Sequence, residues 1–275
     1  MDISREKLGQ WGKALGLDLL GVASLDGYRD VEPQWNPLSI LPKAKSIVVF
    51  GKSIPRSYFR GMEEGTLWLR VDRYLPPRAG YYLCRSFEDN GFLAVPCSPL
   101  APERWPDGIV AKEGKPAPNV TPDVNLAAQL AGLGEIGYNG TFLTPQFGAR
   151  QALGMLFTEA AIEPDKPFAS GQICRRENCL ACVKGCPAGA LSAPPTTRKV
   201  GDQAISVGSY TLEKCRLCVN GAFPDTSCAS APPNRLAAAC TRACIACLED
   251  SGALQTGYRS KFRRREAWGF DTFEG

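Results

Sequence analysis

Apolar positions along the first half of the chain recur at two periods, and each period sets an expected element. Leu8, Trp11 and Leu15 are spaced for one face of a helix that Ser4 can cap and Gly16 can end. Asp18–Ser24 reads as a short strand, and the unbroken apolar run Ile47–Gly51 as a strand covered on both faces. Ala79–Asp89 places Tyr82, Leu83, Ser86 and Phe87 near one side of a helix, Gly91 stops it, and Phe92–Pro96 forms a further strand. Val124–Leu130 is apolar and Ala-rich, hence helical, and Ala152–Thr158 is one more buried strand. Strands alternating with helices over the first 160 residues predict an α/β layer around a central sheet. Lys52–Gly65 has no clear period and is expected to be a loop over one face. Residues 98–122, rich in Pro and polar groups, are expected to form a long functional loop. Pro164-Asp-Lys-Pro167 marks a domain boundary, which gives an α/β domain over 1–165 and a smaller cysteine-rich domain over 166–275.

Composition narrows the class. With 275 residues, 44% of them hydrophobic, the chain can bury one large core, or one medium core plus a small appended domain. No apolar run is long enough to span a bilayer and Met1–Leu20 has no signal-peptide pattern, so a cytoplasmic protein with no membrane partner is expected. A net charge of +4 is too slight to argue nucleic-acid binding. The basic cluster Arg259, Lys261, Arg263, Arg264 and Arg265 reads as a solvated tail or a docking surface for an acidic protein.

Twelve cysteines without an export signal argue against a disulfide framework, and ten of them follow residue 173. Cys179, Cys182, Cys186 and Pro187 carry the spacing C-x2-C-x3-C-P, with Cys174 five positions upstream. In two-cluster ferredoxins such a run gives three ligands to one [4Fe–4S] cubane, while the Cys before Pro reaches the other. The remaining ligands must come from Cys215, Cys218, Cys228, Cys240, Cys244 and Cys247. The alternative is a zinc site of four thiolates, since C-x2-C pairs also suit zinc. The chain has no histidine, so any soft-ligand metal is held by Cys, and a proton donor must be Tyr, Asp, Glu, Lys, Cys or water. Cys84 and Cys97 lie apart and read as small buried hydrophobes.

Gly132-Leu-Gly134-Glu-Ile-Gly137 matches G-x-G-x-x-G, but the segment before it looks helical and the one after it loop-like, the reverse of a dinucleotide site. These glycines suit either turns or the close approach of a large flat cofactor.

Several blocks taken in order resemble the corrinoid-dependent iron–sulfur reductases, the family of epoxyqueuosine reductase and the reductive dehalogenases. They are Leu41–Phe50, Asn90–Pro96, Ala131–Gly140 with Leu143–Arg150, Thr158–Asp165, and the cysteine run. The resemblance implies a nitroreductase-like, three-layer α/β domain holding base-off cobalamin, packed against a small α+β two-[4Fe–4S] ferredoxin domain. It implies a reductase that takes electrons from a low-potential ferredoxin or flavodoxin and acts on a small-molecule substrate; the alternatives are an electron-transfer protein that activates another protein's corrinoid, and a relative that binds a flavin instead. Gly132, Leu133, Gly134, Ile136 and Gly137 become the cofactor-facing stretch. One cluster would take Cys174 or Cys179 with Cys182 and Cys247, and the other Cys186, Cys215, Cys240 and Cys244. Cys218 and Cys228 are then spare, with either Cys215 or Cys218 able to be the cross-ligand. The chain departs from the family in two places: Pro118 stands where the acidic proton donor belongs, and Tyr138 where a Lys is usual. Tyr138 and Asp123, with Tyr81 and Tyr82 behind them, are the candidate donors, and tRNA is expected to be an unlikely partner.

Overall fold

The computed structural model describes residues 3–63, 71–97, 120, 122–200, 203–216, 218 and 238–259. Ser4 caps helix α1 (Arg5–Ala14) by accepting the Lys7 N–H at 3.2 Å, and Leu8 is sealed beneath it. The chain then forms β1 (Leu19–Ala23) and β2 (Ser46–Ser53). Lys52–Gly65 was expected as a loop, yet Arg56–Glu63 is helix α2. The reason is tertiary: Phe59 is fully buried, and the Arg56 guanidinium grips both oxygens of Glu249, at 2.8–3.1 Å, from far along the chain. Helix α3 (Val71–Glu88) also starts earlier than the expected Ala79, running through Pro76 and Pro77.

The remaining elements are β3 (Ala94–Cys97), α4 (Val124–Leu130), β4 (Glu135–Ile136), β5 (Phe142–Leu143) and β6 (Gln151–Thr158). The cysteine-rich part adds α5 (Ala181–Lys184), β7 (Leu191–Val200), β8 (Gln203–Tyr210), α6 (Leu212–Arg216) and α7 (Ala239–Asp250). The long loop expected over 98–122 falls almost wholly outside the described residues.

The central sheet has the order β1-β2-β6-β3 and is antiparallel throughout. Val48 sits opposite Val22 and Leu156, and these three join Leu8, Leu83 and Phe87 under α1 and α3. Their neighbours Ile47, Val49, Met155 and Phe157 point the other way, onto Ala127 and Ala128 of α4. Gly154 leaves room for this packing, since a Cβ there would meet the Phe50 ring at 2.6 Å. Val200 and Ile205, from the β7–β8 hairpin, belong to the same core as α4, so the cysteine-rich part contributes to the α/β core. The hairpin register shifts between Ser192 and Pro195, where consecutive prolines cannot donate to the ladder.

Phe87 is fully buried and meets the Trp11 ring edge-on at 5.2 Å. Phe87→Ala should cost about 3–5 kcal/mol, seen as a lower urea midpoint with an unchanged slope.

Candidate metal centre

The glycine block begins where α4 ends. Gly132, at φ +73°, and Leu133 send their N–H groups back to Gln129 and Ala128, closing the helix as a left-handed glycine commonly does. Two residues on, the fully buried Glu135 turns its carboxylate toward the stretch that leads into the cysteines. Oε1 accepts the N–H groups of Ile173 at 2.5 Å and Cys174 at 2.9 Å. Oε2 accepts the Gly171 N–H at 2.6 Å and Arg176 Nη2 at 3.2 Å. Arg176 also reaches the carbonyls of Ile136 and Ser206. Gln129 works alongside, donating to Phe168 and Ser170 while accepting the Ile136 N–H. The Tyr138 N–H then points at Cys174 Sγ, 3.4 Å away. Sequence reading passed over Glu135, although a signal was present: it is the only charged residue between Asp123 and Arg150.

Helix α7 carries Cys240, Cys244 and Cys247 at i, i+4 and i+7, which puts them on one face. This explains the C-x3-C-x2-C order that differs from a ferredoxin run. Gly185, just past α5, lets α5 and α7 close together, because a Cβ there would meet Ala243 at 2.6 Å. Between them the thiols fall into two groups. Cys186, Cys215, Cys218 and Cys240 line one small cavity with Pro187 and Tyr210. Cys174, Cys179, Cys182 and Cys247 lie close enough to Cys244 to act on its thiol, and Cys182 also neighbours Cys240. Cys218, spare by resemblance, thus sits with the group where Cys244 was expected. Cys228 lies outside the described residues.

Burial pushes the Cys182 thiol up to about 12, with neighbouring Cys174 and Cys240 adding to the effect. Cys244 is driven well above the ordinary thiol value for the same reason. Burial also raises Cys174, but the backbone N–H groups of Tyr138 and Arg176 pull it back. Cys186 Sγ accepts the Ala190 N–H at 3.2 Å, and Cys179 Sγ lies 3.5 Å from Cys247 Sγ. Among the described residues no three Cys, Asp or Glu converge on a single-ion site. The thiols instead form one group around a small cavity and another close to Cys244.

The other candidates are placed as follows. Gly134 and Gly137 pack on their own chain, where a Cβ would meet the Leu143 carbonyl at 2.0 Å and the Leu143 side chain at 3.0 Å. A Cβ on Gly132 would meet the Lys166 carbonyl at 2.7 Å. Ile136 is fully buried in the main core, and Leu133 packs against it. Tyr138 is buried with its hydroxyl donating to the Ala193 carbonyl, and burial raises its phenol above the usual value. Asp123 caps α4, taking the Asn125 and Leu126 N–H groups on Oδ1, while Oδ2 pairs with Arg198 of β7. Tyr81 and Tyr82 are 56% and 42% exposed and stack edge-to-face on each other. Cys84 is buried in the core under α3, Cys97 is half-buried, and burial raises both thiols to about 11.

Asp123→Asn keeps a good cap but breaks the pair with Arg198, whereas Asp123→Ala loses both. The Ala variant should be less stable than the Asn variant by about 1 kcal/mol, measured by denaturant unfolding.

No protein-family model matches the chain. It is 34% identical over 206 residues to tetrachloroethene reductive dehalogenase of Desulfitobacterium hafniense, covering 73% of this chain and 33% of that protein. It is 26% identical over 208 residues to epoxyqueuosine reductase of Bacillus cereus, covering 66% of this chain and 50% of that protein. The chain thus spans a third to a half of the length of these curated relatives. In fold it resembles a solved reductive dehalogenase described as performing B12-dependent dehalogenation, with a TM-score of 0.58 at 16% identity over 96% of this chain and 41% of that one. An epoxyqueuosine reductase has also been solved with an epoxyqueuosine-modified tRNA stem loop (20% identity, 80% of this chain and 59% of that one, TM-score 0.47). Because sequence relatives of this chain carry that same name, the expectation that tRNA is an unlikely partner is corrected, and tRNA returns to the partner classes to be tested. Among the described residues no helix is long and apolar enough to cross a membrane.

Proposed function

We propose, for a chain homologous to the tetrachloroethene reductive dehalogenases and the epoxyqueuosine reductases, the role of an iron–sulfur reductase that passes single electrons through two [4Fe–4S] clusters to a corrinoid. The observation that carries this reading is the sorting of the thiols along one face of α7 into a group that lines a small cavity and a group gathered near Cys244. In a zinc site of four thiolates with Zn–S of about 2.3 Å, all the sulfurs crowd one point. In a cubane each thiolate bonds a different iron, so the sulfurs spread around a volume. The dispersed arrangement favours the cubane. In this reading Cys186, Cys215, Cys218 and Cys240 hold one cluster, and the other takes four of Cys174, Cys179, Cys182, Cys244 and Cys247. The part before residue 166 then corresponds to a nitroreductase-like domain and the rest to a two-cluster ferredoxin domain.

When bound, a corrinoid supplies the low-valent metal chemistry that no side chain offers. The chain has no histidine, which is compatible with the base-off corrinoid that the resemblance implies. Gly132, Leu133, Gly134, Ile136 and Gly137 make no cradle by themselves, since the spaces beside their glycines are filled by Lys166 and Leu143. Their contact with a cofactor would come from backbone groups. This closed packing favours a second reading, in which the chain transfers electrons to a corrinoid held by another protein. The names of its relatives offer two substrate classes, a chlorinated alkene and a modified tRNA.

The test is anaerobic purification, reconstitution with iron and sulfide, and gel filtration after adding cobalamin. The proposal expects about eight irons per chain and retained corrinoid. Full iron without corrinoid selects the electron-transfer reading, and tight zinc without iron overturns both. Cys240→Ala should lose about half of the iron, counted by colorimetry alongside the native chain.

A further inference from the structure

The gap between Cys174 and Cys179 is two residues longer than the usual C-x2-C, and the structure shows how the extra length is held. Arg176 at φ +48° and Leu180 at φ +51° sit in the left-handed region, which costs a side-chain-bearing residue about 1–2 kcal/mol. Something must fix this strained turn. Glu135 does so, accepting the N–H groups of Gly171, Ile173 and Cys174 while its second oxygen takes the Arg176 guanidinium. Glu135 is fully buried, so its charge is matched by these donors alone, with no solvent to share it. The result is that Cys174 Sγ comes to rest on the Tyr138 N–H, with the Arg176 N–H also directed at it. Cys179 lies beside Cys247, near the Arg175 side chain, within the same group of thiols.

We propose that Glu135 and Arg176 form a positioning pair that seats Cys174 as the early thiolate ligand of the first cluster and sets that cluster's reduction potential. The assignment rests on the two-cluster reading above. N–H groups directed at a ligand sulfur and charges close to it are the levers by which a protein tunes such a centre. The two members of the pair carry opposite charges beside the same sulfur, so neutralising them must move the potential in opposite directions. A purely structural role would not produce that sign change.

The experiment is potentiometric titration of the reconstituted chain, followed by electron paramagnetic resonance. Cys240→Ala identifies the signal of the second cluster. Glu135→Gln is expected to raise the midpoint of the first cluster, and Arg176→Gln to lower it, with the second signal unmoved in both. Cys174→Ser should alter the line shape of that same first signal. Unchanged midpoints, shifts of the same sign in both variants, or equal shifts in both clusters overturn the positioning role. An unaltered first signal in Cys174→Ser overturns the ligand assignment. If Glu135→Gln fails to fold, Arg176→Gln, whose side chain is partly exposed, still reads the sign on its own. A native chain that takes up no iron overturns the two-cluster reading and this assignment with it, whereas loaded native protein with unaltered variants overturns only the assignment.

Discussion

A buried carboxylate has to be neutralised or surrounded by donors, and in this protein that requirement joins the α/β layer to the cysteine stretch. Glu135 has no access to water, and its two oxygens are occupied by three backbone N–H groups and one guanidinium. Leaving such a charge unmatched would cost several kcal/mol, so the 171–176 segment has little freedom to sit elsewhere. Because Glu135 lies on β4, next to α4, the position of the sheet and its covering helix is transmitted to Cys174.

The second support is α7. A helix repeats its face every three to four residues, so cysteines at 240, 244 and 247 emerge in one line along it. That line is long enough to serve two groups of thiols, Cys240 facing one and Cys244 and Cys247 the other. Arg56 of α2 holds the far end of α7 through Glu249, and Gly185 lets α5 approach its flank. The thiols therefore take their places from rigid elements and from a buried ionic anchor.

Packing also reassigns residues whose chemistry is suggestive in the sequence. Asp123 has the charge of a proton donor, but one oxygen caps a helix and the other pairs with Arg198. Tyr138 has its hydroxyl on the Ala193 carbonyl, and its most informative atom is the main-chain nitrogen directed at Cys174. The glycines between them allow two short strands to approach, which explains a G-x-G-x-x-G run with no dinucleotide geometry around it.

The sequence by itself determined whatever depends on local periodicity and residue chemistry. It placed α1 and its Ser4 cap, the strands that became β1, β2, β3 and β6, the helix after Asp123, and a set of thiols too concentrated for chance. It also carried its similarity to the two reductase groups. Only tertiary structure decided the rest. Helix α2 has no readable period because its stability comes from Phe59 and from an ion pair with a residue nearly two hundred positions away. The β7–β8 hairpin is held by Val200 and Ile205 packing under α4, a contact that no local pattern announces. The sorting of the thiols into two groups, and the role of Glu135 beneath one of them, depend on which donors come to face a buried group once the chain has closed.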